Sequence, residues 1–133
     1  MRIVICDDDR EQIEQLTRQL RQFFTSLHSK LPDIVSFESG EALLADTGSK
    51  DIVFLDIEMA GLNGIYVGKA LKEQNKNTII FIITSYVEYL DDAMRFHVFR
   101  YLTKPLNPQR LYDNLKEALH LYNTLSTTIA IET

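Results

Sequence analysis

Five short apolar runs recur along the chain, at residues 3–6, 34–37, 52–55, 79–83 and 98–102. The third and fourth are unbroken, Ile-Val-Phe-Leu and Ile-Ile-Phe-Ile-Ile. Continuous β-branched runs of this length suit strands buried on both faces, as in a parallel sheet covered by helices. The segments between them have helical period. Ile13, Leu16, Leu20, Phe23, Phe24 and Leu27 advance by three and four residues and stack on one face. Asp9 and Gln12 resemble a capping box for that helix. Shorter helices fit residues 41–45, 65–73 and 88–96. The last helix starts at Asn107-Pro108, a cap followed by proline, and continues through Leu111, Leu115, Ala118, Leu119 and Tyr122.

The order is therefore β-α repeated five times, an α/β chain. Such alternation predicts right-handed crossovers and a doubly wound five-stranded parallel sheet with helices on both faces. Ligands of such sheets bind beyond the carboxyl ends of the strands. The length of 133 residues fits one domain, and 45% hydrophobic with 25% charged residues excludes collagen-like and low-complexity classes. A lone cysteine, Cys6, forms no internal disulfide and suggests a reduced, cytoplasmic setting. No apolar stretch approaches the roughly 20 residues of a membrane span, and the opening residues do not read as a signal peptide. Nineteen acidic against 14 basic residues give a net charge of -5, which disfavours direct DNA binding by this chain. The tail at 126–133, Ser-Thr-Thr-Ile-Ala-Ile-Glu-Thr, reads as β-like, a linker or the opening of a further domain.

Charged and hydroxyl residues collect where the strands end. Asp7, Asp8 and Asp9 follow the first strand, Asp56 closes the third, Thr84-Ser85 close the fourth and Lys104-Pro105 follow the fifth. A parallel sheet brings these ends to one edge. Three carboxylates within several Å repel by a few kcal/mol per pair at an effective dielectric near 20, so stability does not account for them. Oxygen-only ligands fit Mg²⁺ or Mn²⁺ rather than Zn²⁺. A divalent cation beside a carboxylate, a hydroxyl and a lysine suits phosphoryl transfer, with Asp56 the best-placed nucleophile. Each residue alone has a plainer reading: Asp9 a helix cap, Asp7 or Asp8 a turn residue, Thr84-Ser85 and Lys104-Pro105 loops. Their joint occurrence at four of five strand ends is what carries the inference. His28, His97 and His120 are scattered without ligand spacing and read as surface residues, and Cys6 reads as packing. Neither a P-loop nor a dinucleotide-binding glycine string is present.

With those residues placed, the sequence resembles the receiver domains of bacterial two-component response regulators. The resemblance spans residues 2–125 and rests on Ile3-Val4-Ile5-Cys6-Asp7-Asp8-Asp9, on Phe54-Leu55-Asp56-Ile57-Glu58-Met59 with Gly61 and Asn63-Gly64, on Ile82-Ile83-Thr84-Ser85, and on Tyr101-Leu102-Thr103-Lys104-Pro105. More narrowly, the Ile-Cys-Asp-Asp opening, the long first helix and the tail resemble receivers fused to LytTR-type DNA-binding domains. The resemblance implies a flavodoxin-like fold with strand order 2-1-3-4-5. It implies that Asp56 accepts a phosphoryl group from a sensor histidine kinase. Asp8, Asp56 and the backbone carbonyl of Glu58 would ligate Mg²⁺, with Asp7 acting through water. Thr84 and Lys104 would engage the phosphoryl group, Tyr101 would be the switch aromatic, and the Lys104-Pro105 peptide would be cis. The helix 4–strand 5–helix 5 surface would be the output face and a possible homodimer interface, with DNA reached only through a domain absent from this chain. The Glu58 side chain, over the acceptor, is expected to alter water attack and hence signal lifetime.

That reading makes the chain a switched phosphoacceptor, with at most self-dephosphorylation, rather than an enzyme. Two alternatives stand beside it. A haloacid-dehalogenase-type phosphohydrolase also uses an Asp nucleophile with Mg²⁺, but wants an Asp two residues on, where Glu58 stands. A receiver-like interaction module that is never phosphorylated usually lacks one of the residues retained here.

Overall fold

The computed structural model describes residues 1–132, with side chains through Ser126; Thr133 lies outside the described residues. Its elements alternate as expected: β1 (Arg2–Cys6), α1 (Arg10–Ser26), β2 (Asp33–Phe37), α2 (Gly40–Ala45), β3 (Ile52–Leu55), α3 (Gly64–Gln74), β4 (Ile79–Thr84), α4 (Leu90–Arg95), β5 (Arg100–Thr103) and α5 (Pro108–Glu132). All pairings are parallel and the strand order is β2-β1-β3-β4-β5.

The period-2 geometry of strands divides each apolar run between two cores. Ile3, Ile5, Ile52, Phe54, Ile79, Phe81 and Ile83 face α1 and α5, where they meet Leu16, Leu20, Phe23, Leu111 and Leu115. Val4, Cys6, Val53, Leu55, Ile80 and Ile82 point the other way, toward Leu43, Val67, Leu71 and Ala93. Burial on both faces is why β3 and β4 need no polar alternation. Each fully buried aliphatic or aromatic side chain contributes about 1.5–3 kcal/mol. Phe54 and Phe81 stack at 4.7 Å, fixing adjacent central strands side by side.

Caps set the helix starts. Asp9 accepts the Glu11 N–H at 3.0 Å, rather than closing the expected box with Gln12. Asn107 accepts the Arg110 N–H at 3.1 Å, directly before Pro108. Helix α4 is shorter than the expected 88–96. Tyr89 occupies its cap position without a side-chain cap bond, and the Glu88 carboxylate is spent on the Val87 N–H at 3.0 Å. At its other end His97 adopts a left-handed backbone, φ 64°. Strand β5 begins later than expected, because Val98 N–H still bonds back to Ala93. The tail is a correction: residues 126–132 continue α5 rather than turning β-like. Adding a residue to an existing helix costs little, and β-branched Thr and Ile weaken a helix only slightly where no Gly or Pro stops it. Among the described residues no helix is long and apolar enough to cross a membrane.

Candidate functional site

Register decides which side chains meet at the carboxyl edge. Cys6 pairs with Leu55, so Asp7 and Asp56, one residue further on, emerge side by side. The Asp56 N–H bonds the Cys6 carbonyl at 3.0 Å and the Asp7 N–H bonds Phe37 at 3.2 Å, extending the ladder past the strand ends. Thr84 pairs with Thr103, and the Lys104 N–H bonds the Thr84 carbonyl at 2.8 Å. The Lys104-Pro105 peptide is cis, as expected. Gly64 opens α3 against the same corner. Its N–H bonds the Ile57 carbonyl at 2.8 Å, and a Cβ there would stand 2.1 Å from the Asp56 carbonyl oxygen. Only glycine lets α3 begin this close to the strand end.

The Lys104 ammonium bridges Asp7 Oδ2 at 3.0 Å and Asp56 Oδ2 at 3.2 Å. Asp56 Oδ1 accepts the Ile57 N–H at 2.8 Å, and Asp7 Oδ1 accepts that of Asp9 at 2.9 Å. Asp7 and Asp56 are buried, whereas Asp8 is exposed and accepts the Ala60 N–H at 3.2 Å. One oxygen from each of Asp7, Asp8 and Asp56 lies within 4.8 Å of the others. Two of the three carboxylates thus share one lysine, and the third, Asp8, stands close to both. Burial pushes the Asp7 carboxyl up, against the pull of the Asp9 N–H and Lys104. Burial also works to lower the Lys104 ammonium, but its bond to Asp7 and the charge of Asp56 outweigh that and raise it. A concentrated acidic set of oxygen donors, short of cations, suits a hard divalent ion.

The remaining candidates divide. Thr84 is fully buried and its Oγ1 accepts the Tyr86 N–H at 3.3 Å. Tyr101, half-buried, donates its hydroxyl to the Tyr86 carbonyl. Glu58 is exposed, and its carboxylate accepts the Tyr89 hydroxyl at 3.0 Å instead of joining the acidic cluster. Asp9 caps α1, and His28, His97 and His120 are all exposed. Cys6 is buried between the Ser39 carbonyl and the Met59 sulfur; burial, then the charges of Asp7, Asp56 and Asp8, push its thiol up to about 12. It stays protonated and packs. Tyr89 reads from sequence only as part of the helix 4–strand 5–helix 5 face; its bond to Glu58, and Tyr86 altogether, escape the sequence, since nothing local in the β4–α4 loop announces a bond to a residue some 30 positions away.

Residues 3–116 match the response regulator receiver domain. The chain belongs to that family. It is 34% identical over 110 residues to an uncharacterized response regulatory protein of Vibrio cholerae, covering 81% of this chain and 41% of that protein. It is 28% identical over 117 residues to the sensory transduction protein LytT of Bacillus subtilis, covering 88% of this chain and 47% of LytT. Among solved structures, the response regulator TrrA of Thermotoga maritima, in complex with Mg²⁺-BeF, superposes with a TM-score of 0.76 at 28% identity, covering 88% of this chain and 97% of that one. The chain spans less than half the length of these curated relatives. Receiver domains are signalling domains, and the flavodoxin-like topology expected from the sequence is the one observed.

Proposed function

We propose that this receiver is a phosphorylation switch in which Asp56 accepts a phosphoryl group from a sensor histidine kinase. The observation that carries the reading is the Lys104 ammonium seated between Asp7 and Asp56, with the exposed carboxylate of Asp8 close to both. In the transfer, an Asp56 oxygen bonds to phosphorus as the bond to the kinase histidine breaks, and the imidazole nitrogen keeps the electron pair. Lys104 would meet the charge gained at Asp56, and the buried Thr84 hydroxyl, at the carboxyl end of β4, would bond a phosphoryl oxygen. Asp8, Asp56 and the Glu58 backbone carbonyl would hold Mg²⁺ or Mn²⁺, with Asp7 acting through water. Such an ion supplies charge neutralisation to carboxylates and phosphoryl oxygens alike.

Phosphorylation adds about 1.5–2 negative charges at Asp56, which must be converted into a change of shape. The Tyr86 N–H donates to the Thr84 hydroxyl and the Tyr101 hydroxyl donates to the Tyr86 carbonyl, a chain of bonds from the end of β4 to β5 that favours Tyr101 as the switch aromatic. The output face is then α4–β5–α5, where Leu90 and Met94, with Val87 in the loop before α4, are exposed and suit a homodimer contact. The similarity to LytT favours a LytTR-type DNA-binding output outside this chain, with residues 126–133 as the linker, in a cytoplasmic transcription regulator.

The test is intact-protein mass spectrometry after incubation with acetyl phosphate, with and without Mg²⁺. The expected result is a Mg²⁺-dependent gain of one phosphoryl group that is absent in Asp56→Asn. No gain from either acetyl phosphate or the natural kinase would hand the lead to a phosphorylation-independent interaction module. Sustained turnover of phosphate esters would instead favour a phosphohydrolase.

A further inference from the structure

The Glu58–Tyr89 hydrogen bond lies outside the acidic cluster, and the Tyr86 side chain, on the path from Thr84 to Tyr101, reaches the same Glu58 carboxylate. Glu58 lies two residues after Asp56, so their Cα atoms are at most about 7 Å apart. A glutamate carboxylate on that loop can therefore turn over the acceptor or away from it. Here it is turned away: it stands outside the set of mutually close carboxylates and is held at 3.0 Å by the Tyr89 hydroxyl. Tyr89 is well anchored. It is half-buried at the start of α4, packed against the core that contains Leu55 and Ile57, with its ring edge-on to Tyr86 at 6.5 Å between centroids.

We propose that Tyr89 is a positioning residue that parks the Glu58 carboxylate away from Asp56 and thereby prolongs the life of the phosphoryl group. This rests on Asp56 being the acceptor. Hydrolysis ends the signal: a water oxygen bonds to phosphorus as the bond to Asp56 breaks, Asp56 departs as a carboxylate and inorganic phosphate is released. The water must shed a proton, and a free carboxylate over the site can take it and pass it to solvent. General-base help of that kind accelerates a reaction when the base reaches the water, and a parked Glu58 does not. An α4 shift that draws Tyr89 off Glu58 would free the base, so the state of α4 would feed back on the lifetime of the signal.

The test loads four proteins with acetyl phosphate and Mg²⁺, removes the donor and follows loss of the phosphoryl group by mass: wild type, Tyr89→Phe, Glu58→Gln and the double variant. Phe keeps the ring and its packing, and Gln keeps an oxygen that accepts the Tyr89 hydroxyl. Tyr89→Phe is expected to shorten the lifetime on the order of three- to tenfold. The double variant is expected to match Glu58→Gln rather than Tyr89→Phe, a non-additivity that a merely structural role for Tyr89 would not produce. An unchanged lifetime in Tyr89→Phe overturns the proposal. So does a double variant that loses the phosphoryl group faster than Glu58→Gln. Failure of wild type to take up phosphate at all is a different result, which removes the acceptor reading and this proposal with it.

Discussion

The two edges of the sheet use the same residue types to opposite ends. At the amino edge, Arg2 forks onto Asp46, with Nη1 to Oδ2 at 2.8 Å and Nη2 to Oδ1 at 3.2 Å. Lys50 adds a second cation 3.3 Å from Asp46, and the Gly48 N–H a further donor at 3.1 Å. Asp51 meanwhile accepts the Arg2 backbone N–H at 2.8 Å, tying β1 to the start of β3. The Arg2 guanidinium and then Lys50 overcome burial and hold the Asp46 carboxyl at about 2. At the carboxyl edge one lysine serves two buried carboxylates, Asp8 has only a backbone N–H among the described residues, and the Asp7 carboxyl is pushed up. A saturated network holds a fold together, whereas an under-neutralised one waits for a ligand.

Removing a cation from each edge tests that contrast most severely. Lys104→Met leaves Asp7 and Asp56 buried without a counter-charge. Losing one partner of a fully buried pair costs about 3–5 kcal/mol, and the slight exposure of Lys104 reduces the expectation to about 2–3 kcal/mol in urea unfolding. Lys50→Met should cost clearly less, since Arg2 remains on Asp46. Adding Asp56→Asn to Lys104→Met should recover part of the loss. Equal losses at the two edges would show that the lysines do equivalent work and would break the comparison.

The two edges were also unequally legible. The carboxyl edge could be read in advance because strand ends are marked by apolar runs, and parallel topology sends every Asp, Thr or Lys at such an end to one place. The amino-edge network could not: Arg2 and Asp46 lie 44 positions apart in no local pattern. Gly64 was seen as part of a motif, but its purpose, a Cβ-free approach to the Asp56 carbonyl, needs coordinates. Gly48 makes the contrast plain, since a Cβ there would first meet a side chain, the guanidinium of Arg2, rather than backbone. The boundaries of α4 and of the tail were missed for a related reason. Apolar period says which face is buried, while a helix end depends on caps and on the absence of a stop signal.

A smaller effect separates the edges by ligand. A divalent cation that binds only the folded protein stabilises it by RT ln(1 + [L]/Kd), about 1.4 kcal/mol at roughly ten times Kd. For a domain of this size that raises Tm by about 5 °C. Thermal melts in Mg²⁺ against EDTA should show such a rise in wild type, a reduced one in Asp56→Asn and an undiminished one in Asp46→Asn. Identical melts in Mg²⁺ and EDTA for wild type would count against a metal site at the carboxyl edge. A rise that depended on Asp46 would move the site to the other edge.

The smallest effect lies in pH, where the two edges should carry opposite signs. Asp46 is depressed from 3.8 to about 2, so its partners contribute stability that is fully present above 3.8 and is lost as pH falls through 2. Asp7 is raised above 3.8, so keeping it ionised in the fold is a cost at neutral pH, and that cost is relieved as pH falls through the raised value. Below 3.8 the folded and unfolded carboxyls are both protonated and Asp7 no longer distinguishes the states. Asp7→Asn, which leaves Asp56 as a partner for Lys104, should therefore melt above wild type near neutral pH without Mg²⁺ and converge on it toward pH 3.8. Asp46→Asn should melt below wild type and converge only beneath 3.8. Two variants displaced in the same direction would mean that the carboxyl edge is as well satisfied as the amino edge. The shortage of positive charge that Mg²⁺ is invoked to meet would then have to be sought in Asp8 alone, the one carboxylate of the three that lies in solvent.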